Sequence, residues 1–188
     1  LQDHVVKAEI LLHGSFATTG IGHGTDKALI AGLLGMRPDD IRIPDSFFLA
    51  KKDGMEFSFS TITLKDAHPN TAVLRLTGEH GRKIEVQAAS IGGGRILIAK
   101  LDGIEVNFSA EKPTLIVHNV DQPGHVAQVT SMLAEKQVNI ATLQLYRDKR
   151  GGYAVMVIET DQEVPEESVA WLEQLDGIIK VTYINVEE

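Results

Sequence analysis

The apolar and polar positions of the C-terminal third can be read element by element. Residues 114–119 form a short apolar run that stops at polar Asn119 and Asp121, a strand followed by a turn. Pro123 stands where a first helical residue would, and Val126, Val129 and Leu133 follow at helical spacing. Residues 138–146 read as a strand, with Thr142, Gln144 and Tyr146 alternating against Leu143 and Leu145. Gly151-Gly152 turns a hairpin after the charged tip at 147–150, and the unbroken apolar run 153–158 predicts a strand buried on both faces. Pro165 opens a second helix with Val169, Leu172 and Leu175 inward, and Gly177 stops it. Ile179, Val181 and Tyr183 then alternate with Lys180 and Thr182 in a last strand. The order is βαββαβ, the ferredoxin-like arrangement. Its helices cover one sheet face and leave the other to pair, so a homodimer is expected.

The N-terminal part predicts a strand at 5–12 and a helix at 25–34, with Thr25 as N-cap and Gly35 as stop. A short helix capped by Asp45 is expected at 45–52. Strands follow at 55–63, 71–76, 83–89, 96–101 and 104–108, separated by turn signals at 78–81, 92–94 and Asp102-Gly103. This part reads as α+β with a mostly antiparallel sheet. A break at Glu111-Lys112-Pro113 divides the chain into domains 1–111 and 112–188, because proline ends one strand and admits a new one.

Composition narrows the function classes. A chain of 188 residues, 43% hydrophobic, has material for two small cores. A formal charge of -8 gives no electrostatic footprint for nucleic acid and is repelled by an anionic membrane surface. No apolar run approaches the roughly 20 residues that span a bilayer, and no signal-peptide pattern is present. A cytoplasmic location is expected. Without cysteine there is no disulfide and no thiolate to hold a metal or cluster, and no metal site is expected on this chain. The chain opens on Leu1 in a stretch that reads as mid-element, so a preceding segment is expected.

Four stretches could carry chemistry. Gly14-Ser15-Phe16-Ala17-Thr18-Thr19-Gly20-Ile21-Gly22-His23-Gly24-Thr25-Asp26 joins a strand to a helix. Its glycines allow close backbone approach, the free amides at a helix start favour a carboxylate, and His23 between two glycines is open to a ligand. The plain alternative is a connecting loop with an exposed histidine. It is no P-loop, because the Lys-Ser/Thr ending is absent. His68-Pro69-Asn70-Thr71 offers a rigid donor and acceptor pair, or is an ordinary turn before a strand. Ser90-Ile91-Gly92-Gly93-Gly94 suggests backbone packed on another element, or is a loop. Asn119-Val120-Asp121-Gln122-Pro123-Gly124 runs into a helix start that suits a small amino acid, or is a capped helix serving only dimerisation. His4, His13, His80 and His118 have no metal-ligand spacing and read as surface or core filling. Trp171, Phe57 and Phe59 read as packing.

These residues resemble a known family. Gly14-Ser15-Phe16-Ala17, Thr19-Gly20 and Gly22-His23-Gly24-Thr25-Asp26-Lys27-Ala28 are similar to the iron-sulfur-dependent L-serine dehydratases. Gly32-Leu33-Leu34-Gly35, His68-Pro69-Asn70-Thr71 and Ser90-Ile91-Gly92-Gly93-Gly94 continue the likeness. The part after residue 112 resembles an ACT domain, with Asn119, Asp121, Pro123-Gly124 and Asn139-Ile140. The resemblance covers essentially the whole chain and corresponds to the beta chain of the two-subunit form. It implies an α/β allosteric-substrate-binding-like domain followed by the ferredoxin-like ACT domain. It also implies an alpha subunit whose cysteines hold a [4Fe–4S] cluster, and conversion of L-serine to pyruvate and ammonia without pyridoxal phosphate.

By the same resemblance His23 and His68 are candidate catalytic residues, and Ser15, Gly22, Thr25, Asp26 and Asn70 candidate substrate-binding residues. Asn119, Asp121, Gly124 and His125 are candidate residues for a regulatory ligand. The family's Ser-Ser-Ser-His-Thr stretch, thought to line the active site, would lie before Leu1. The alternative is a serine-sensing regulatory module of a serine-pathway enzyme such as 3-phosphoglycerate dehydrogenase, a setting in which the same pair of domains also occurs.

Overall fold

Ala8, Ile10 and Leu12 alternate inward along β1 (Val5–Leu12), in a computed structural model that describes residues 3–185. The chain then forms α1 (Ser15–Thr19), α2 (Thr25–Leu33), a 3-10 turn (Ile43–Asp45) and α3 (Ser46–Lys52) before β2 (Glu56–Thr61). β2 runs parallel to β1 because this helical segment intervenes, and a parallel pair needs such a crossover. β3 (Thr71–Gly78), β4 (Lys83–Gly92) and β5 (Arg95–Leu101) complete an antiparallel meander, and the strands lie in the order β2-β1-β3-β4-β5. The sheet is therefore mostly antiparallel, with one parallel strand at its edge. These elements make up one compact unit, Asp3–Gly103.

Several local expectations are corrected. Residues 15–19 of the glycine stretch form a one-turn helix rather than open loop. Thr25 is the first helical residue, and Gly24, at φ 72°, is the N-cap. Gly35 does stop the helix: at φ 75° it donates to Gly32 O (3.0 Å) while Met36 N–H reaches Ala31 O (3.0 Å). Ser46, fully buried, donates its hydroxyl to Lys27 O (2.9 Å) and so ties α3 to the first turn of α2. Phe47 packs on Phe57 and Phe59 with ring centroids 5.1 and 5.9 Å away, the packing role expected of that aromatic pair.

The second unit starts at Ile104. It contains β6 (Ile104–Phe108), β7 (Thr114–Val120), α4 (His125–Glu135), β8 (Ile140–Arg147), β9 (Tyr153–Thr160), α5 (Glu166–Leu172) and β10 (Ile178–Ile184). From β7 onward this is βαββαβ, with antiparallel strands in the order β10-β7-β9-β8. Leu115, Val117, Val129, Leu133, Met156, Ile158 and Leu172 form its core. Residues 154–158 of β9 are buried throughout: two strands flank β9, Met156 and Ile158 join the core under the helices, and Val155 and Val157 turn to the opposite face, where β6 contacts β9. Pro123 lies just outside α4, whose N-cap is Gly124 at φ 107°. The alternation expected in β10 breaks at its start. A register shift between Ile178 and Lys180 turns Ile178 to the core and leaves Ile179 54% exposed.

Gln137 ends α4 at φ 57°, its N–H on Ala134 O (3.0 Å) and Val138 N–H on Leu133 O (2.9 Å). That left-handed position favours glycine. Gln137→Gly is expected to stabilise the chain by about 0.5–1 kcal/mol, read as a higher urea midpoint at unchanged slope.

Candidate functional site

Strand pairing gathers three of the sequence stretches at one end of the first sheet. Leu12 at the end of β1 stands opposite Ala72, and Thr71 at the start of β3 stands opposite Ala89 near the end of β4. The segments that follow β1, precede β3 and close β4 therefore lie side by side. Hydrogen bonds join them. His13 N–H donates to Thr71 O (2.9 Å), Ser15 N–H to Pro69 O (2.8 Å), and Ser90 N–H to Asn70 O (3.0 Å). Gly14 sits at φ 56°, and an added Cβ would lie 2.6 Å from Pro69 O and 2.8 Å from Pro69 Cα. Only a glycine lets the two backbones approach this closely.

The histidine-proline turn is tied internally. His68 Nδ1 accepts Asn70 N–H (3.1 Å), and the Thr71 hydroxyl donates to His68 O (2.6 Å). An Nδ1 that accepts an N–H carries no proton, so the neutral ring of His68 presents Nε2–H outward as a donor. The glycine stretch folds back on itself, with Thr25 N–H on Gly20 O (2.9 Å) and His23 N–H on Thr19 O (3.2 Å). His23, Gly22 and Ser15 are exposed, Thr25 is half-buried, and Asp26 is buried with its carboxylate accepting Lys27 N–H (2.8 Å). Among the described residues no hydrogen bond or ion pair joins the His23 side chain to His68.

The fourth stretch lies in the second unit, between β7 and α4. Asn119 is 3% exposed; its amide donates to Val120 O (2.7 Å) and its Oδ1 has no partner. His125, 7% exposed, turns Nδ1 toward Gln128 Oε1 (3.3 Å) and leaves Nε2 unpartnered, and its ring lies against Gly177. Asp121 is spent on the β8–β9 turn: its carboxylate accepts Gly151 N–H (2.9 Å) and pairs with Arg147 (3.2 Å). The Gly151 amide, with Arg147 beside it, holds the Asp121 carboxyl below the usual carboxylate range. A depressed value adds stability that is complete above the ordinary carboxylate range and fades as pH falls through the lowered one. Asp121→Asn is expected to shrink the acid limb of the stability profile below about pH 4, measured by thermal melts across pH.

Two family models match this chain: a serine dehydratase beta-chain model over residues 1–50 and an ACT-domain model over residues 113–177. The L-serine dehydratase beta chain of Peptoniphilus asaccharolyticus is 35% identical over 181 residues, covering 96% of this chain and 82% of that protein. The probable L-serine dehydratase beta chain of Bacillus subtilis is 37% identical over 175 residues, covering 93% and 79%. The chain belongs to the L-serine dehydratase beta-chain family. A D-3-phosphoglycerate dehydrogenase of Methanocaldococcus jannaschii is 31% identical over 113 residues, 60% of this beta chain but 22% of that enzyme.

The beta-chain model covers Ser15, Gly22, His23, Thr25 and Asp26, whereas His68 and Asn70 lie beyond it. The strand register brings the turn that carries that second pair against Ser15. Two residues take roles that the sequence did not single out: Gly14, read there as the head of the first candidate stretch, and His13, read there as surface or core filling. The contacts of Gly14 with Pro69 and of His13 with Leu64 are both long-range in sequence, so no local pattern signals them. Among the described residues no helix is long and apolar enough to cross a membrane. The chain has no cysteine, and among the described residues no group of three His, Asp or Glu side chains is placed to hold a metal ion. The donor set of this beta chain does not fit an iron-sulfur cluster.

Proposed function

We propose that this chain is the beta subunit of an iron-sulfur-dependent L-serine dehydratase, active with a cysteine-bearing alpha subunit that holds a [4Fe–4S] cluster. Residues 1–111 supply the face toward the substrate and residues 112–188 the regulatory ACT module. The observation that carries this reading is the junction at one sheet end, where Ser15 meets Pro69 and Ser90 meets Asn70. Residue types suited to gripping an amino acid and moving protons are thereby gathered on one surface.

In the reaction L-serine loses its α-proton and β-hydroxyl as water, and the resulting enamine tautomerises and hydrolyses to pyruvate and ammonia. Hydroxide leaves poorly, and the partner's cluster, when bound, supplies the Lewis acidity for its departure. The residues of this chain orient and exchange protons. His68 presents a donor at Nε2 for substrate oxygen, with Asn70 holding the ring through its N–H. His23, whose ring is open to solvent, handles the proton or orients the leaving hydroxyl. Ser15, Gly22, Thr25 and Asp26 line the approach.

At the start of α4, the unpartnered Asn119 Oδ1 and His125 Nε2 call for a ligand that brings its own donor. Together with free helix-start amides above Gly124 they suit a small zwitterionic amino acid, while Asp121 holds the neighbouring turn. Leu145, 48% exposed on edge strand β8, supports homodimer pairing of the ACT sheet.

Co-purification with the alpha subunit and anaerobic reconstitution is expected to yield pyruvate from L-serine, and the isolated chain to be colourless and inert. Pyruvate made by the isolated chain would overturn the reading. The shared segment with D-3-phosphoglycerate dehydrogenases favours one other reading, a serine sensor without chemistry. Calorimetry on the isolated chain separates them: tight saturable serine binding, with no turnover in any alpha–beta complex, selects the sensor.

A further inference from the structure

His13 has two neighbours that a surface or core-filling histidine would not need. Its Nδ1 accepts the N–H of Leu64 (3.2 Å) and lies 3.3 Å from Ile62 O. Leu64 N–H can only donate and is the nearer of the two, at 3.2 Å against 3.3 Å for the Ile62 carbonyl, so the tautomer with a bare Nδ1 is the one that keeps the Leu64 bond. The backbone on either side is fixed as well. Ile62 N–H donates to Leu12 O (2.9 Å), and His13 N–H to Thr71 O (2.9 Å). The end of β1 is thus gripped by the exit of β2 on one side and the start of β3 on the other. The stretch leaving Leu64 reaches His68 within four residues, and the residue after His13 is the glycine packed on Pro69.

We infer that His13 is a positioning residue: its Nδ1 lone pair latches the segment leading into the His68–Asn70 turn to the root of the glycine loop. It touches no reacting atom and acts through His68 and Asn70. The inference rests on the dehydratase reading for its catalytic consequence, but the latch itself is a property of this chain alone. A side chain that fills the space without a lone pair leaves the Leu64 amide without its acceptor, whereas asparagine places an oxygen where Nδ1 stands.

The test compares His13→Leu with His13→Asn in two assays. In the isolated full chain, hydrogen exchange at the Leu64 amide is expected to speed up about tenfold in His13→Leu and to stay near wild type in His13→Asn. In the reconstituted alpha–beta complex, kcat/KM for L-serine is expected to fall about tenfold in His13→Leu, at a temperature where the variant remains folded, and to be restored within about threefold by His13→Asn. Equal Leu64 exchange in all three proteins would overturn the latch. Wild-type kcat/KM in a His13→Leu complex whose Leu64 amide exchanges faster would overturn its role in positioning. If the wild-type complex forms no pyruvate, the dehydratase reading fails and takes the catalytic role with it, while the exchange comparison still decides the latch.

Discussion

His23→Ala in the reconstituted complex is expected to lower kcat for L-serine by about 10²–10⁴-fold, the usual share of a positioned proton-transfer group. The expectation comes from comparing the two candidate imidazoles. In His68 the nitrogen Nδ1 is occupied by Asn70 N–H, so the ring is committed to donating from Nε2. The His23 ring makes no hydrogen bond among the described residues, and the glycines on both sides leave it uncovered, so either nitrogen is free to take or give a proton. A group committed to one hydrogen-bonding role orients; a group with an open lone pair can act as a base. His68→Ala should accordingly raise KM more than it lowers kcat. Removing an exposed side chain costs the fold little, so the His23→Ala complex should still assemble and melt like wild type. Steady-state pyruvate formation with purified complexes decides the matter, and full turnover by His23→Ala would remove the loop from the catalytic machinery.

The second unit was legible in the sequence because its periods are regular and its elements pack locally. A five-residue buried run in β9 can only be a central strand, and prolines and glycines punctuate both helices. Where it misled, at Ile179, a one-residue shift against β7 broke the period of two, which no single-strand pattern reveals. The first unit was harder because its information is non-local. The parallel pairing of β2 with β1 depends on how α2 and α3 cross the sheet, and one-turn α1 lies among glycines whose propensity argues against it. The candidate site divides in the same way. The residue types in each stretch were visible, but their assembly follows from the β1–β3–β4 register, and the structural use of His13 depends on Leu64, 51 positions away.

Gly14→Ala is expected to destabilise the isolated chain by about 2–4 kcal/mol, read as a lower urea midpoint, and to reduce serine turnover in the complex by more than tenfold. Two costs add at this position. The backbone sits at φ 56°, ψ -123°, a region open essentially to glycine alone. The new Cβ would also meet Pro69 O at 2.6 Å and Pro69 Cα at 2.8 Å, both backbone atoms that no rotamer change can move aside. Relief requires the two stretches to part, which breaks the Ser15 N–H to Pro69 O bond and separates the glycine loop from His68 and Asn70. Two neighbouring glycines calibrate the result. Gly24, at φ 72° with open space around its Cβ position, bears only the cost of the left-handed backbone, about 1 kcal/mol for alanine. Gly22 lacks a positive φ, and its Cβ would meet nothing closer than Thr19 O at 3.5 Å, an ordinary contact. Gly22→Ala should therefore fold normally, and any loss of serine affinity it shows reports a ligand that needs the bare backbone there. Equal stability for Gly14→Ala and Gly24→Ala would mean that the contact with Pro69 does not hold the loop in place.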